Sequence, residues 1–431
     1  MNTIEGKDFE PELPPKLLQI ADNIRAASGR AFLVGGWVRD AMLGRECRDF
    51  DVEVYGITQD TLLEILSHFG HPNLVGKAFG VIHLTMRGLD LDFSFPRTEN
   101  KVGEGHRGFL VETHLDLSFA EAALRRDFTI NAMGVELPQL ELCDPYHGRE
   151  DLEKGILRHV SPAFAEDSLR VLRGVQFASR FKLRMAPETV ELCRTLPLDD
   201  LSSERIFEEF KKWLLKPGTP SYGLDAFVAM DLKRFFPEVR PLGGSFAKLG
   251  EFLDGVSLTL SSFDESSAAI LAFATLLSGA ENKEEIMNFL TRITNEIRLL
   301  RGIPALWEKA PQLLAHARAH ENNFDAAFLR RQSGALSGLY LAAAFGANYP
   351  LDSIDFRKQF ASNLHTESMA LGVWENALEP FLTGRALLEL GLQPGKQVGE
   401  LIRESFELQI EGTLKNEIEA IAWAKAKLTS T

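Results

Sequence analysis

The segment that decides the fold is LVGGWVRDAMLGRECRDFDVEV, which covers Leu33–Val54. Its beginning predicts a buried strand over Ala31–Val34, because this run is short and apolar. The pair Gly35-Gly36 then removes two side chains, which lets the chain turn sharply and lets a ligand approach the backbone. Helical character follows over Trp37–Leu43. The free N–H groups at the start of that helix favour an anion.

Charged side chains inside and after this helix extend the pattern. Arg39 can donate two hydrogen bonds to a phosphate. Asp49 and Asp51 alternate with apolar residues, so the period of a strand puts both carboxylates on one face. Paired carboxylates repel each other unless a cation lies between them, and Mg²⁺ that bridges substrate phosphates suits such ligands. A turn and a half-buried strand would explain each part alone, but the combination predicts binding of a nucleoside triphosphate.

A second acidic strand follows at Leu89–Ser94, where acids again alternate with apolar residues. A third acid beside a metal pair can bind a second ion or accept a proton from an attacking hydroxyl. We expect Asp92 to take this role, and Asp90 is the alternative within the same strand. The segment Lys101–Arg107 is rich in glycine and charge, which predicts a flexible polar loop.

Two further segments place polar groups at helical spacing. In RRDFTINAM, Arg126 can hold triphosphate oxygens, while Asp127 and Asn131 lie four apart on a predicted helical turn and can meet a ribose hydroxyl. In AEDSLRVLR, Asp167 and Arg170 are three apart, so they share a helix face and can read the Watson–Crick edge of a base. Helix capping or a surface ion-pair ladder are the structural alternatives for these two segments.

Composition limits the kind of protein. The chain has 431 residues, enough for roughly two to four domains. Its net charge of −14 argues against a protein that coats nucleic acid indiscriminately, although Lys154–Arg184 is locally basic. No apolar run approaches the roughly 18 residues of a membrane span. The start of the chain lacks an apolar signal region, and three scattered cysteines fit a reducing compartment, so we expect a cytoplasmic protein without a membrane.

The chain divides by pattern into a mixed N-terminal zone and a helical remainder. Expected strands and helices are, in order, Ala31–Val34, Phe50–Val54, Val81–Met86, Leu89–Ser94, Leu140–Cys143, Asp167–Phe181, Pro187–Leu196, Ser203–Leu215, Ile286–Arg301 and Leu414–Leu428. A loop at Pro241–Ser245 and breaks near Asn348–Pro350 and Gly384 mark boundaries. The predicted domains are residues 14–155, 156–241, 242–350 and 351–431.

Three motifs in the same order resemble a known family. GGWVRD followed by RDFDVEV, then RRDFTINAM, then RHVSPAFAEDSLRVLR are similar to the motifs of class II tRNA nucleotidyltransferases, the CCA-adding enzymes. These enzymes share a polymerase β-like fold with bacterial poly(A) polymerases. The resemblance implies an α/β nucleotidyltransferase head, an all-α neck that selects the nucleobase, a helical body and a helical tail that binds tRNA. It also implies CTP and ATP as substrates and two Mg²⁺ ions on Asp49 and Asp51.

The resemblance assigns roles to individual residues. Asp167 and Arg170 match the protein template for the base, Glu166 would orient Arg170 through an i,i+4 pair, and Arg173 would reach phosphate. Where relatives often carry a further arginine, this chain has Gln176, and Arg180 one turn later is a possible substitute. Glu204 and Arg205 match a helix that supports the neck, so we expect structural roles for them.

The C-terminal segment LTGRALLELGLQPGK at Leu382–Lys396 resembles the tail of the family. Its glycine turns next to a helix N-terminus suggest contacts with backbone phosphates, for which Arg385, Lys396 and Arg403 are the candidates. Packing of a helix–turn–helix is an equally good explanation of this segment.

Four functions remain open at this point. The first is full CCA addition to tRNA, and the second is addition of only CC or only A. The third is a poly(A) polymerase, a class that usually has a more basic C-terminus than this one. The fourth is an inactive module that binds nucleotide or RNA, against which the intact Asp49 and Asp51 pair argues. The sequence indicates tRNA and nucleoside triphosphates as partners and no obligate protein partner.

Overall fold

The computed structural model describes residues 12–75, 81–86, 88–101, 109–113, 117–333 and 338–429. Within these ranges the N-terminal part mixes strands with helices, and the remainder is mainly helical. The expected fold class, an α/β head followed by all-α segments, is confirmed. Most of the loop predicted at Lys101–Arg107 lies outside the described residues.

Strands are concentrated in the head. Their bounds are β1 Arg30–Val34, β2 Phe50–Tyr55, β3 Asn73–Val75, β4 Val81–Met86, β5 Leu89–Ser94, β6 Arg97–Lys101, β7 Phe109–Thr113, β8 Gly134–Leu137, β9 Glu141–Cys143, β10 Ile156–Leu157 and β11 Arg184–Met185. Seven of these described strands form one sheet in the order β3-β4-β5-β2-β1-β8-β9. Every pair in that sheet is antiparallel except β2 with β5, which run parallel.

The apolar side of the sheet is closed by aromatic packing. Phe32 on β1 stacks on Phe119 at a ring-centroid distance of 5.0 Å. Tyr55 on β2 meets the same Phe32 ring edge-on at 5.2 Å. Because β2 alternates between core and surface, burial of Val52 and Val54 turns Asp51 and Glu53 to the opposite face.

Helices surround the sheet and then make up the rest of the chain. Their bounds are α1 Pro15–Ala26, α2 Gly36–Met42, α3 Gln59–Ser67, α4 Phe119–Ala123, α5 Gly148–Lys154, α6 Leu169–Phe181, α7 Pro187–Thr195, α8 Ser203–Leu215, α9 Pro220–Ala229, α10 Phe246–Ser257, α11 Glu265–Leu276, α12 Lys283–Ile293, α13 Ile297–Ala319, α14 Ala326–Gln332, α15 Leu339–Ala347, α16 Ile354–Ala370, α17 Gly384–Glu389, α18 Lys396–Ile410 and α19 Glu417–Thr429. Short 3-10 turns lie at Thr129–Asn131, just before β8, and at Pro162–Glu166, just before α6.

The described residues form two compact units. The first contains the chain up to Trp213 together with Tyr222–Phe235, and the second contains Leu214–Ser221 and the described chain from Phe236 onward. The first unit therefore includes the sheet and helices α1 to α7. The four-domain division remains a prediction. Among the described residues, no helix has both the length and the apolar character needed to cross a bilayer.

In the second unit, α11 is buried along almost its whole length, and Phe252 of α10 meets Phe345 of α15 edge-on at a centroid distance of 4.7 Å. The last three helices and the segment between α18 and α19 share an apolar cluster, which includes Leu387, Leu401 and Leu414.

Three expected helices differ from the observed ones. The helix expected at Leu414–Leu428 begins three residues later, at Glu417. The helix expected at Ile286–Arg301 is wrong as a single element, because α12 ends at Ile293 and α13 begins at Ile297. Thr294 between them has extended backbone angles, φ −149° and ψ 155°, so the helix cannot continue through it. The helix expected from Asp167 begins two residues later at Leu169, because Asp167 is itself extended.

Candidate functional site

The acidic strands meet at the middle of the sheet. The parallel register of β2 and β5 places Asp51 directly beside Asp92. Asp49 lies just before β2, two residues from Asp51, and its side chain is exposed. The three predicted carboxylates are thus supplied by two neighbouring strands and the segment that leads into one of them.

The charges of these carboxylates act on one another. The pKa of Asp51 is raised, first because neighbouring atoms partly desolvate its carboxylate, although one side of the residue remains open to solvent. The negative charges of Asp92 and Asp49 raise it further, and Arg126 opposes them. The repulsion between these carboxylates favours a cation beside Asp51.

Asp92 is held in place by its neighbour on β4. His83 Nδ1 lies 2.6 Å from Asp92 Oδ1, and Thr85 Oγ1 lies 3.0 Å from His83 Nε2. In the tautomer that satisfies both contacts, His83 donates through Nδ1 to the Asp92 carboxylate and accepts at Nε2 from the Thr85 hydroxyl. Asp90 pairs in register with Thr85, its Oδ1 lies 3.8 Å from His83 Nε2, and its side chain is more exposed than that of Asp92. The geometry favours Asp92 over Asp90 as the third acid.

The acids fit a magnesium site that a substrate completes. Among the described residues, no group of three or more His, Cys, Asp or Glu side chains is placed to hold an ion by itself. Mg²⁺ commonly takes one or two carboxylates and completes its shell with phosphate oxygens and water. Asp49 and Asp51 match such a partial set, since desolvation and then the neighbouring carboxylates raise the pKa of Asp51, and a bound cation would oppose both effects.

The glycine pair borders on a cationic side chain. Gly35 has φ +67°, a conformation that side chains disfavour, and a Cβ there would lie 3.4 Å from Arg126 Nη1. Arg126 donates through Nη2 to Glu53 Oε2 at 3.3 Å and through Nη1 to the carbonyl of Asn131 at 3.4 Å. Arg126 therefore connects the acidic face of β2 to the region around Asn131.

This region is a cleft of about 620 Å³ within the first unit. Its lining residues are Gly35, Gly36, Arg39, Arg126, Asp127, Asn131, Asp167, Leu169, Arg170, Arg173, Gln176, Phe177, Arg180, Arg205 and Lys212. Every residue predicted to bind nucleotide is in this set. Sequence segments separated by more than a hundred residues are thus brought to one place.

Asp127 is the buried centre of the cleft wall. Its Oδ1 accepts from the Phe128 backbone N–H at 2.8 Å and from Asn131 Nδ2 at 2.9 Å. Its Oδ2 accepts from Arg173 Nη2 at 2.6 Å and from Nε at 2.8 Å. Burial by itself would raise the pKa of Asp127, but the charge of Arg173 and these donors outweigh it and lower the pKa. The predicted α-helical turn is a 3-10 turn, and it still brings Asp127 to Asn131.

Arg39 is more enclosed than the sequence suggests. It is only 5% exposed, and its guanidinium lies 4.2 Å from the ring centroid of Phe181. Its Nε donates to Asp40 at 2.9 Å, and its Nη1 donates to Asn131 Oδ1. Burial lowers the pKa of this guanidinium. These contacts make Arg39 an anchor for Asn131, and direct contact with phosphate remains a prediction.

Asp167 and Arg170 both line the cleft, although they are not on one helix face. Arg170 is oriented by two backbone carbonyls, since Nη1 donates to Ala163 at 2.8 Å and Nη2 donates to Arg125 at 2.7 Å. The expected pairing of Glu166 with Arg170 is wrong, because Glu166 accepts from Arg125 at 2.8 Å instead. The 3-10 turn before α6 directs Glu166 away from the helix that carries Arg170.

Asp167 has a partner that the sequence did not reveal. Arg205 Nη2, on α8, donates to both carboxylate oxygens of Asp167 at 3.0 and 2.9 Å. The Leu169 backbone N–H donates to Asp167 Oδ1 at 3.1 Å. A carboxylate accepts about four hydrogen bonds, so Asp167 keeps capacity for a ligand. Arg205 was expected to be structural, and it does position a cleft residue.

Gln176 occupies the place of the expected arginine. Its side chain is 2% exposed, and Oε1 has no hydrogen-bond partner within the described chain. Phe177, next to it, lies under the guanidinium of Arg173 at 5.1 Å. Arg180, the suggested substitute, also lines the cleft, as does Lys212, which donates to Glu209 at 2.8 Å. Phe177 and Lys212 carried no recognisable sequence signal.

The predicted RNA contacts lie in the second unit. Arg385 is on α17, and Lys396 and Arg403 are on α18. The side chains of Arg385 and Lys396 are each 90% exposed and pair with glutamates one turn away. Arg403 donates to the carbonyl of Gly399 at 3.3 Å. The three cations are accessible, and their binding to RNA remains a prediction.

Comparison with known proteins gives a family match in the head and relatives that align with about half of the chain. Residues 31–158 match the family model described as the poly A polymerase head domain. A multifunctional CCA protein of Chromobacterium violaceum is 40% identical over 218 residues, which is 49% of this chain and 51% of that protein. The corresponding protein of Psychromonas ingrahamii is 41% identical over 221 residues, or 49% and 52%. The chain thus spans about half the length of the curated relatives it matches.

Solved structures resemble the chain over almost all its length. The Thermotoga maritima CCA-adding enzyme complexed with tRNA has a TM-score of 0.65, with 21% identity and 96% of each chain covered. The Bacillus stearothermophilus CCA-adding enzyme in complex with CTP has a TM-score of 0.67, with 21% identity, 97% of this chain and 99% of that chain covered. At this level of identity the likeness shows the fold. Residues 31–158 are thus similar to the poly A polymerase head domain, and the described chain has the fold of the CCA-adding enzymes.

Proposed function

We propose that this protein is a CCA-adding tRNA nucleotidyltransferase, which transfers CMP and AMP from CTP and ATP to the 3′ end of tRNA without a nucleic-acid template. The observation that carries the proposal is the cleft, which every predicted nucleotide-binding residue lines and which Arg126 links to the acidic strand β2 through Glu53. The curated relatives, named multifunctional CCA proteins, support the same activity. A cytoplasmic location suits this role.

The residues of the head would carry the chemistry. The 3′ hydroxyl of the RNA attacks the α-phosphate of the nucleotide, the new oxygen–phosphorus bond forms, and pyrophosphate leaves. Asp49 and Asp51 would hold two Mg²⁺ ions, which when bound lower the pKa of the attacking hydroxyl and stabilise the leaving oxygens. Asp92, oriented by His83, would be the third catalytic acid beside Asp51.

The cationic lining would bind the triphosphate. Arg126 borders on both the glycine pair and the acidic strand, so it is the cation best placed to link phosphate to the catalytic acids. Arg173 donates two hydrogen bonds to Asp127 and thereby holds the Asp127 side chain in the wall of the cleft. Asp127 and Asn131 would meet the ribose, with Arg39 supporting Asn131.

Base selection would rest on a fixed donor beside a fixed acceptor. Backbone carbonyls of Ala163 and Arg125 hold the Arg170 guanidinium, and Arg205 holds the Asp167 carboxylate. Cytosine and adenine both present an amino donor next to a ring acceptor, which complements this pair. Uracil and guanine would leave buried polar groups unpaired, and such mismatches are strongly rejected.

The test uses tRNA transcripts that end before CCA or after CC, with one labelled nucleotide at a time and Mg²⁺. Full CCA addition predicts two C followed by a single A. Addition of only C or only A would indicate one of the restricted enzymes, and a long A tract on any RNA would indicate a poly(A) polymerase. No incorporation by the wild type would leave an inactive binding module.

Two variants test whether nucleotide incorporation depends on the proposed metal ligands beside the cleft. Asp51→Asn should abolish incorporation while CTP still binds, because it removes a proposed metal ligand and leaves the cleft lining intact. Asp60→Asn, an exposed acid at the start of α3, is the matched control and should incorporate as the wild type does.

A further inference from the structure

The second unit contains a cavity of about 660 Å³ that the proposed reaction does not use. Its size is within the range of small-molecule sites, roughly 300–1,000 Å³. Ala343, Ala344 and Ala347 of α15 and Ala361 of α16 line it with small side chains, which leaves the interior open. The other lining residues are aromatic, acidic or hydroxylic.

Four rings follow one another along the cavity. Phe263 stacks on Tyr340 at a centroid distance of 5.8 Å, and Tyr340 meets Trp374 at 6.4 Å with an angle of 61°. His365 meets Trp374 edge-on at 4.8 Å. The stack covers one face of Phe263 and one face of Tyr340, and all four rings belong to residues that line the cavity. The faces of Phe, Tyr and Trp rings attract cations through their quadrupoles.

Two carboxylates add negative charge to the lining. Asp264 accepts from the backbone N–H groups of Ser266 and Ser267 at 3.1 Å and from Ser267 Oγ at 2.6 Å. These bonds, above all those from Ser267, lower the pKa of Asp264 and keep it ionised. Glu375 is exposed and has no ion pair within the described chain.

Among the described lining residues, the only basic side chain is His365. No Lys or Arg is among its described residues. Arg298 acts on Asp264 electrostatically but does not line the cavity. The cation–π contacts found in the described chain use other rings, so the faces of Phe263, Tyr340 and Trp374 are not taken by an internal cation. Phosphate-bearing ligands would be repelled by the two acids.

We propose that this cavity binds a small organic cation that carries a methylated ammonium group, held by Tyr340 and Trp374 and by the charge of Asp264 and Glu375. Aromatic rings combined with carboxylates recognise such a group because its charge is spread over methyl surfaces that contact the rings. The site is independent of the nucleotidyl-transfer proposal, since all its residues lie in the second unit.

The experiment is a ligand-observed NMR titration of the full chain with choline as the probe. Its uncharged isostere 3,3-dimethylbutan-1-ol has the same shape without the charge. We expect saturable broadening of the choline methyl line and at least about fivefold weaker binding of the isostere. Absence of saturation, or equal binding of the two compounds, would overturn the proposal. Binding of adenosine without binding of choline would overturn it too, in favour of a base-stacking site.

Variants assign the effect to the cavity. Trp374→Leu should weaken choline binding at least about fivefold, whereas Trp374→Phe should retain most of it because an aromatic face remains. Trp423→Leu makes the same change in the tail, outside the cavity, and should bind choline as the wild type does. Circular dichroism and melting temperature check that each variant folds. Wild-type binding by Trp374→Leu would refute the site.

Discussion

Gln176 buries an amide oxygen at the edge of the cleft without a hydrogen-bond partner in the described chain. A bound nucleotide can supply a donor from a hydroxyl or an amino group, but its phosphates cannot. Gln176→Met has nearly the same shape, so it should raise the free energy of unfolding by about 1 kcal/mol and weaken nucleotide binding by roughly tenfold. Denaturant unfolding and CTP titration measure the two effects.

Gln176→Met is expected to increase the stability of the protein and to weaken CTP binding. A substitution that simply damaged the fold would lower both, so the test is specific. Gln393→Met, at an exposed position in the tail, is the control and should change neither quantity. If Gln176→Met bound CTP as tightly as the wild type, the unpartnered oxygen would have no role in binding.

The lowered pKa of Asp127 predicts that the stability of the protein depends on pH. Its pKa is lowered in the folded protein, so the unfolded chain binds more protons as pH approaches the usual Asp value of about 3.9. The stabilisation by the ionised carboxylate is therefore complete at neutral pH and is lost as pH falls through the lowered pKa. Asp127→Asn leaves Arg173 without its buried partner and should cost about 3–5 kcal/mol at pH 7.

The measurement is denaturant unfolding of wild type and variant between pH 7 and the acid limit of folding. The difference between them should be constant at neutral pH and shrink only below the usual Asp value. A difference that already declined near pH 7 would contradict the lowered pKa.

Single residues also show which parts of the site could be predicted from the sequence and which could not. The predicted cleft residues are all found in one place because they occur in short motifs whose chemistry is local. Arg205 was not assigned to Asp167, since their pairing joins positions 38 residues apart and no spacing rule connects them. The anchoring of Arg39 to Asn131, 92 residues away, was missed for the same reason.

At the scale of elements, the alternation of apolar and polar residues predicted the core strands correctly. Strands without this alternation were not predicted. β4 and β5 have the expected bounds, because apolar residues alternate along them. The hairpin of β6 and β7 was not predicted, since the sequence RTENK of β6 has no apolar period. The break between α12 and α13 was missed because apolar residues continue on both sides of it.

The packing of α5 against the 3-10 turn at Thr129–Asn131 supports the cleft. A Cβ at Gly148 would lie 2.2 Å from the carbonyl oxygen of Thr129, far inside contact distance. Gly148→Ala should therefore displace this turn, which carries Asn131, and destabilise the protein by about 1–3 kcal/mol. Thermal melting measures the stability, and CTP titration measures the effect on the cleft.

Gly399 provides the matched control for that substitution. It lies within α18, and an added Cβ would have no atom within 4 Å. Gly399→Ala should stabilise its helix by roughly 0.5–1 kcal/mol, because alanine loses less backbone entropy than glycine. If Gly148→Ala melted at the wild-type temperature, the close approach to Thr129 would not support the cleft.

At the scale of the whole molecule, charge is distributed unevenly. The chain has a net charge of −14, yet the lining of the cleft contains seven Lys or Arg and two Asp side chains. An acidic chain discourages indiscriminate binding of nucleic acid, so affinity for RNA must come from local cations. Beyond the cleft, the candidates are Arg385, Lys396 and Arg403 on the last helices.

The tail cations can be tested by the salt dependence of RNA binding. Replacing Arg385, Lys396 and Arg403 together with glutamine should weaken tRNA binding, and the slope of log K against log salt should fall by about one for each lost phosphate contact. CTP binding should be unchanged. The control replaces three exposed cations elsewhere, Lys16, Arg25 and Lys283, with the same change in net charge. Equal salt slopes for the two triple variants would show that only net charge matters and that the tail makes no phosphate contacts.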